Sequence, residues 1–322
     1  MPAVFAILAF TFLLVRIGGQ DPVGLLAGPS ATRAEIVAIT AELGLDRPVW
    51  DQFLIYVSLV AQGDLGRSWI SNRPVLSDIL ERLPVTLELL GWGVGLGAAI
   101  GIAGGMLAAA NRNKPFDQLV RIVSIVGFSV PTYFLGLLML LVFFYFLEWA
   151  PPGMGRLSLM LTPPPRITGS FLIDGLLAGN ADVARSAAAQ LVLPVLCIAI
   201  ITAAPTAKQT RAIAIEVLSS DFIRYARAEG LGRTRIWMMT LRNSLVPIIT
   251  FVGSELTGLI GTTAILEYVF SWGGLGQYGL TAIIRGDFVA VQGYVLSLAC
   301  FSVLVFVAVD LLVRAVEPRG RR

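Results

Sequence analysis

Histidine is absent from the 322 residues. That removes imidazole acid–base chemistry, a histidine-activated nucleophile, and His-ligated zinc or haem. Only two cysteines occur, Cys197 and Cys300, each inside an apolar run. They read as small core side chains, with no disulfide framework and no metal-ligand spacing. No Gly-x-x-x-x-Gly-Lys-Ser/Thr stretch is present, so the chain carries no phosphate-cradling loop of its own. Charge is scarce too: 14% of residues are charged and 56% hydrophobic, where a soluble domain carries about 25% charged residues. The net charge of +3 is small. The basic residues sit in loops beside apolar runs, which is not the footprint of a nucleic-acid binder. The solvent that suits this composition is a lipid bilayer.

What is present is long apolar runs. A helix needs about 20 apolar residues to cross the hydrocarbon, and five runs meet this: 85–110, 119–147, 187–204, 245–266 and 291–313. A sixth, within residues 1–16, is short. It lacks the basic start and small-residue cleavage site of a signal peptide and reads as a first membrane helix that begins trimmed or at the interface. The expectation is an all-α membrane protein with six transmembrane helices. Arg112 and Lys114 lie in one loop. Lys208, Arg211, Arg224, Arg227, Arg233, Arg235 and Arg242 lie in the loop 205–244. Arg314, Arg319, Arg321 and Arg322 lie in the tail. The alternate loops are balanced or acidic, so the positive-inside rule places both termini in the cytoplasm.

The loop 17–84 reads as an extracytoplasmic scaffold. Ser30-Ala-Thr-Arg-Ala-Glu35 has the form of a capped helix start, closing at Gly44. Val49, Phe53, Tyr56, Val57 and Val60 recur at helical spacing in a second short helix, Pro48–Ala61. Pro163-Pro-Pro165 marks an extended stretch in the second outer loop. No repeat and no soluble domain is found. Residues 85–322 form the membrane core.

Within the spans, Gly93, Gly97, Gly101 and Gly105 fall four apart, a row that lets two backbones approach closely. Helix packing and a sliding surface both use such a row. Pro131 and Pro194 sit inside the third and fourth spans, and Pro247 opens the fifth. Glu255 lies well inside the fifth span and Glu88 just inside the second. An acid at that depth is costly and faces the protein interior or a wet cavity. Glu255 fits either the lining of a path or a hydrogen-bond hub, and Glu88 fits a hub better. Pro131, Glu255 and Glu88 are the candidates for a translocation path. Asp310 stands at helical spacing from Arg314 and is expected to pair with it.

The segment Asp221–Glu229 reads as a short helix, capped by Ser219 or Ser220 and started by Asp221 at the positive end of the helix dipole. Gly230 stops it. A second helix, Thr234–Asn243, leads to the fifth span. Phe222, Tyr225, Ala226 and Ala228 among Arg224, Arg227 and Glu229 suit insertion in a partner's groove. They equally suit a helix lying on anionic headgroups.

Tyr225-Ala-Arg-Ala-Glu-Gly-Leu231 followed by Leu241-Arg-Asn-Ser-Leu-Val-Pro247 resembles the ATPase-docking loop of ATP-binding-cassette importer permeases of the dipeptide/oligopeptide branch. Further matches are Leu43-Gly-Leu-Asp-Arg-Pro48, Gly63-Asp-Leu-Gly-Arg-Ser68, Arg82-Leu-Pro-Val-Thr-Leu-Glu88, Val269-Phe-Ser-Trp-Gly-Gly-Leu-Gly276 and the ending Glu317-Pro-Arg319. Their order over some 300 residues is specific to the branch. The wider superfamily opens the docking loop with Glu-Ala-Ala, where this chain has Arg224-Tyr-Ala226. The resemblance implies a type I importer permease fold in a bacterial inner membrane. It implies a second, similar permease subunit, two ATPase subunits that hold ATP and Mg, and an extracytoplasmic solute-binding protein. It makes Asp221–Leu231 the coupling segment and peptides the default cargo. The chain itself then has no catalytic and no metal-binding residue. The competing reading from the residues alone is a stand-alone ion-coupled transporter with Glu255 as its ion site. An intramembrane enzyme is remote, because histidine and paired intramembrane aspartates are missing.

Overall fold

A computed structural model describes residues 2–17, 32–42, 44 and 46–316. The helix start expected at Ser30, the first part of the scaffold loop and the Glu317–Arg319 ending lie outside them. Twelve α-helices carry the described chain: α1 (Pro2–Ile17), α2 (Arg33–Glu42), α3 (Val49–Ala61), α4 (Val75–Ala110), α5 (Pro115–Ser129), α6 (Thr132–Met139), α7 (Phe171–Leu177), α8 (Ala181–Ser219), α9 (Asp221–Ala228), α10 (Arg233–Val269), α11 (Leu275–Arg285) and α12 (Phe288–Val316). A π-helical turn, Leu140–Phe146, continues α6.

Four helices, α4, α8, α10 and α12, are long and apolar enough to cross a membrane, and the bent pair α5–α6 passes the same test when its two helices are counted together. The sixth apolar helix, α1, has 16 residues, about 24 Å at 1.5 Å per residue. It packs beside α3 and α12 through Leu8, Phe53 and Leu296.

The spans differ from their sequence boundaries in an instructive way. Expected as one helix over 119–147, the third span is broken at Val130, which is extended (φ −82°, ψ 122°). Pro131 follows, and a proline ring pushes the preceding residue out of the α region. The helices on either side are bent by more than 40°. Pro247, expected to open the fifth span, lies inside α10, whose 37 residues run unbroken from Arg233. The separate helix expected at Thr234–Asn243 is the first part of it. At 1.5 Å per residue α10 reaches about 55 Å, well beyond the roughly 30 Å of hydrocarbon.

The centre of the bundle is the α4–α8 pair. Gly93, Gly97, Gly101 and Gly105 face α8. A Cβ at Gly97 would come within 2.7 Å of the Ala199 carbonyl oxygen, and one at Gly105 within 2.6 Å of the Ala207 carbonyl. The buried residues Thr202, Thr206 and Thr210 fill the facing row. Leu89, Leu90, Ile198, Ile260 and Leu266 extend this contact into the main core. The outward side of α12 is apolar, with Val303, Leu304, Phe306 and Leu311 more than half exposed, as a lipid-facing surface requires. Asp310 and Arg314 stay exposed there and form none of the ion pairs among the described residues.

Candidate functional site

At the basic end of the bundle α9 forms a short peg between the ends of α8 and α10. Ile223 is fully buried and Ala226 4% exposed; they pack on Ile236, Val217, Leu218 and Met239. The other face is open: Phe222 and Tyr225 are exposed apolar side chains, flanked by Arg224, Arg227, Ala228 and Glu229. Two faces therefore divide the segment. Ala226 belongs to the chain's own core, and Phe222 and Tyr225 are presented outward.

The helix ends as its sequence suggests but starts differently. Gly230 adopts φ +77°; its N–H donates to the Arg227 carbonyl (3.0 Å), and the Leu231 N–H to the Ala226 carbonyl (3.1 Å). This is a complete Schellman closure, with Leu231 packed on the Ile223–Ala226 cluster. At the start, Ser220 is in the cap position without capping; its hydroxyl donates back to the Val217 carbonyl (2.6 Å). Ser219 likewise donates to Glu216 (2.8 Å). Asp221 instead pairs with Arg224 on the exposed face. A cavity of about 510 Å³ beside the peg is lined by Arg112, Arg227, Arg233, Leu231 and Trp237. One turn inward, the Arg211 guanidinium holds the buried carboxylate of Asp117 (Nη2–Oδ2 2.8 Å) and ties α5 to α8.

Of the two acids singled out in the sequence, Glu255 lies on a cavity of about 460 Å³ between α5, α8 and α10, with Ser124, Ser129, Lys208, Gln209 and Phe251. Pro131 marks the break between α5 and α6 and is not among the residues lining that cavity. Glu88 accepts a hydrogen bond from the Ser170 hydroxyl and ties α4 to the loop before α7.

A fully buried carboxylate on α10 escapes the sequence reading. Glu267, near the far end of α10, has no exposure. It accepts the Thr86 hydroxyl (2.5 Å) and the Gln277 N–H (2.8 Å), while Thr86 Oγ1 accepts the Leu275 N–H (2.8 Å). A carboxylate thus meets the open N–H groups and positive dipole end of α11. Gly274 leaves no room for a Cβ against it. Nearby, Arg82 lies 5.1 Å over the Tyr278 ring. Two of the resembling stretches, Arg82–Glu88 and Val269–Gly276, meet around this one acid. Asp287 performs a related task for α12: it accepts the Ser68 hydroxyl (2.5 Å) and the Ala290 N–H (3.2 Å). The sequence hint for both is an acid beside a glycine-marked helix start.

At the same end Asp174 collects the Thr168 N–H and hydroxyl (2.7 Å each) and the Gly169 N–H (3.0 Å). Burial raises this carboxyl, but the converging donors outweigh it and hold Asp174 below the usual carboxylate range.

A multi-span apolar bundle with a peg at its basic end and a cavity holding an acid and a base fits a membrane transport subunit of the permease type. The chain belongs to the family described as binding-protein-dependent transport system inner membrane component, which matches residues 101–322. The amino-terminal region of that family matches residues 2–90. The chain is 40% identical over 98% of its length, and 93% of the relative's, to the probable D,D-dipeptide transport system permease protein of Escherichia coli (strain K12). It is 37% identical to that organism's dipeptide transport system permease protein, over 100% of this chain and 96% of the relative. It is 35% identical to the di/tripeptide transport system permease protein of Pseudomonas aeruginosa (strain UCBPP-PA14), over 100% and 96%. Among solved structures it shares its fold with the MetNI methionine ATP-binding-cassette transporter seen in inward-facing conformations. The TM-score is 0.55 at 19% identity, over 74% of this chain and 96% of that one.

Proposed function

We propose that this chain is one permease subunit of an ATP-driven importer of short peptides in a bacterial inner membrane. It provides half of the translocation path and makes or breaks no covalent bond. A second, similar permease completes the path. Two ATPase subunits at the cytoplasmic, basic end hold ATP and Mg. A solute-binding protein delivers cargo at the opposite end, where α2, α3 and the loop before α4 form its platform. Both termini are then cytoplasmic. Membership of a binding-protein-dependent family and relatives named for dipeptide transport support this over an ion-coupled carrier.

The observation that carries the coupling role is the two-faced peg. Ile223 and Ala226 fix α9 to the ends of α8 and α10, and Phe222 and Tyr225 stand free for a partner's groove. Closure of the ATPase pair displaces α9 as a rigid body, and the long helices it grips tilt between inward- and outward-open states. Coupling lies in the different stability of those states, not in chemistry on this chain.

The test is purification of the native particle. We expect mass spectrometry to find a second permease, ATPases and bound peptide, and the reconstituted particle to import labelled dipeptide only with ATP and the binding protein. Peptide uptake by the lone chain without ATP would overturn the reading.

A further inference from the structure

The cavity between α5, α8 and α10 combines three features that a helix-packing defect does not explain. It holds one acid and one base, Glu255 and Lys208. Neither takes part in any of the ion pairs among the described residues, and the Glu255 side chain makes none of the hydrogen bonds that satisfy Glu88 and Glu267. Lys208 and Gln209 are exposed on α8 one helical turn beyond Ala204 and Pro205. Lys208 stands one turn before Arg211 toward the basic end, while Glu255 lies within the apolar part of α10; an acid so placed faces water or protein and not acyl chains. This side of the bundle is therefore wet or covered by another subunit.

We propose that this cavity is a charge-complementary section of the solute path, in which Lys208 meets the terminal carboxylate of a free peptide and Glu255 its terminal ammonium. The inference rests on the peptide reading given above and adds the residues that recognise the peptide ends. Its volume, about 460 Å³, falls in the range of roughly 300–1,000 Å³ usual for small-ligand sites. The charge inventory selects the ligand class. A cationic cargo leaves Lys208 opposed by a like charge, and an anionic cargo does the same to Glu255. A neutral cargo answers neither charge. A zwitterion answers both. Ser124, Ser129 and Gln209 add neutral hydrogen-bonding groups, and Phe251 supplies an apolar wall indifferent to the peptide's side chains.

The experiment uses the assembled complex with Cys300→Ser and Ser129→Cys, probed by a small water-soluble thiol reagent. We expect Ser129→Cys to react, a free dipeptide to protect it, and the same dipeptide acetylated and amidated at its ends to protect it far less. Adding Glu255→Gln or Lys208→Met should raise the protecting concentration of free dipeptide roughly tenfold, the scale of a lost charge-assisted hydrogen bond. ATP hydrolysis stimulated by the binding protein serves as the check that each variant is assembled. An unreactive Ser129→Cys, equal protection by the blocked dipeptide, or unchanged protection in both charge variants overturns the proposal. Uptake of labelled dipeptide by the unaltered complex is measured in parallel. Uptake without charge-dependent protection sinks this inference alone, whereas absence of uptake sinks the peptide reading beneath it.

Discussion

Gly230 has φ +77° and nothing within 4 Å of where a Cβ would sit. Its requirement is thus purely conformational. Gly232 two residues on also faces open space but has φ −63°, where any residue is at ease. Gly230→Val should cost about 1–2 kcal/mol in the α9 closure and lower the peptide imported per ATP hydrolysed, while Gly232→Val leaves that ratio unchanged. Equal ratios in both variants would remove the peg from the coupling account. The two carboxylates on α10 separate the same way. Glu267→Ala leaves the Thr86 hydroxyl and the α11 N–H groups without their acceptor, a loss of about 1.5–3 kcal/mol for each bond to a charged group. The detergent-solubilised complex should melt at a clearly lower temperature. Glu255→Gln, with no bonds to lose, should not change the melting temperature. Similar melting shifts would mean that Glu255 is a structural hub as well. Glu255 stands out in the sequence because it interrupts an apolar run, and Glu267 does not because it ends one. Its partner Thr86 is 181 residues away, a distance that no local pattern reports.

Elements were legible where their causes are local. The stop at Gly230 and the glycine row of α4 follow from residue type and spacing alone. A bend at Pro131 follows from the proline itself; what the continuous apolar run around it conceals is that the helix breaks at Val130 and restarts as α6. Ser220 does not cap α9 because its hydroxyl is turned back to donate to the Val217 carbonyl in the last turn of α8, so its oxygen accepts no α9 N–H. The glycine row makes a sharp prediction. A Cβ at Gly101 would lie 2.7 Å from Thr206 Cβ and 2.9 Å from the Ala203 carbonyl, whereas Gly104, on the same helix, has nothing within 4 Å. Gly101→Val forces α4 and α8 apart, a cost of about 1–3 kcal/mol or more; Gly104→Val does not. Thermal unfolding of the purified complex should separate them, and equal stability would mean that the two helices do not meet along this row. The loop before α7 offers a pH test. The donors around Asp174 hold its carboxyl below the ordinary 3.8, so their stabilisation is complete above that value and is lost as pH falls through the lowered one. Amide exchange at Thr168 and Gly169 should accelerate in that acid window, and Asp174→Asn should bring the acceleration to neutral pH. Protection that persists in Asp174→Asn would assign the loop's order to other contacts.

At the scale of the whole molecule the described chain has, besides the α2–α3 platform, two separate kinds of free surface. The sides of α12 and α5 are apolar, with Leu304, Leu311, Ile122 and Ile125 exposed, as a lipid-facing surface requires. The peg's free face, at the basic end, is small and mixed, with two aromatic side chains among arginines. A molecule built this way should lose its partners independently. Ala226 is the residue to test this, because its methyl group sits 4% exposed between α8 and α10 and cannot itself touch a partner. Ala226→Arg places a charge in that contact, which expels the peg or forces it to turn. The outward face of Phe222 and Tyr225 is then misdirected while the membrane surfaces are untouched. Purification of this variant should recover the second permease in normal yield and the ATPases in strongly reduced yield. Loss of both together would mean that the fold, and not the docking, had failed. Recovery of both would mean that the ATPases grip the bundle elsewhere, and α9 would then be a membrane-surface helix.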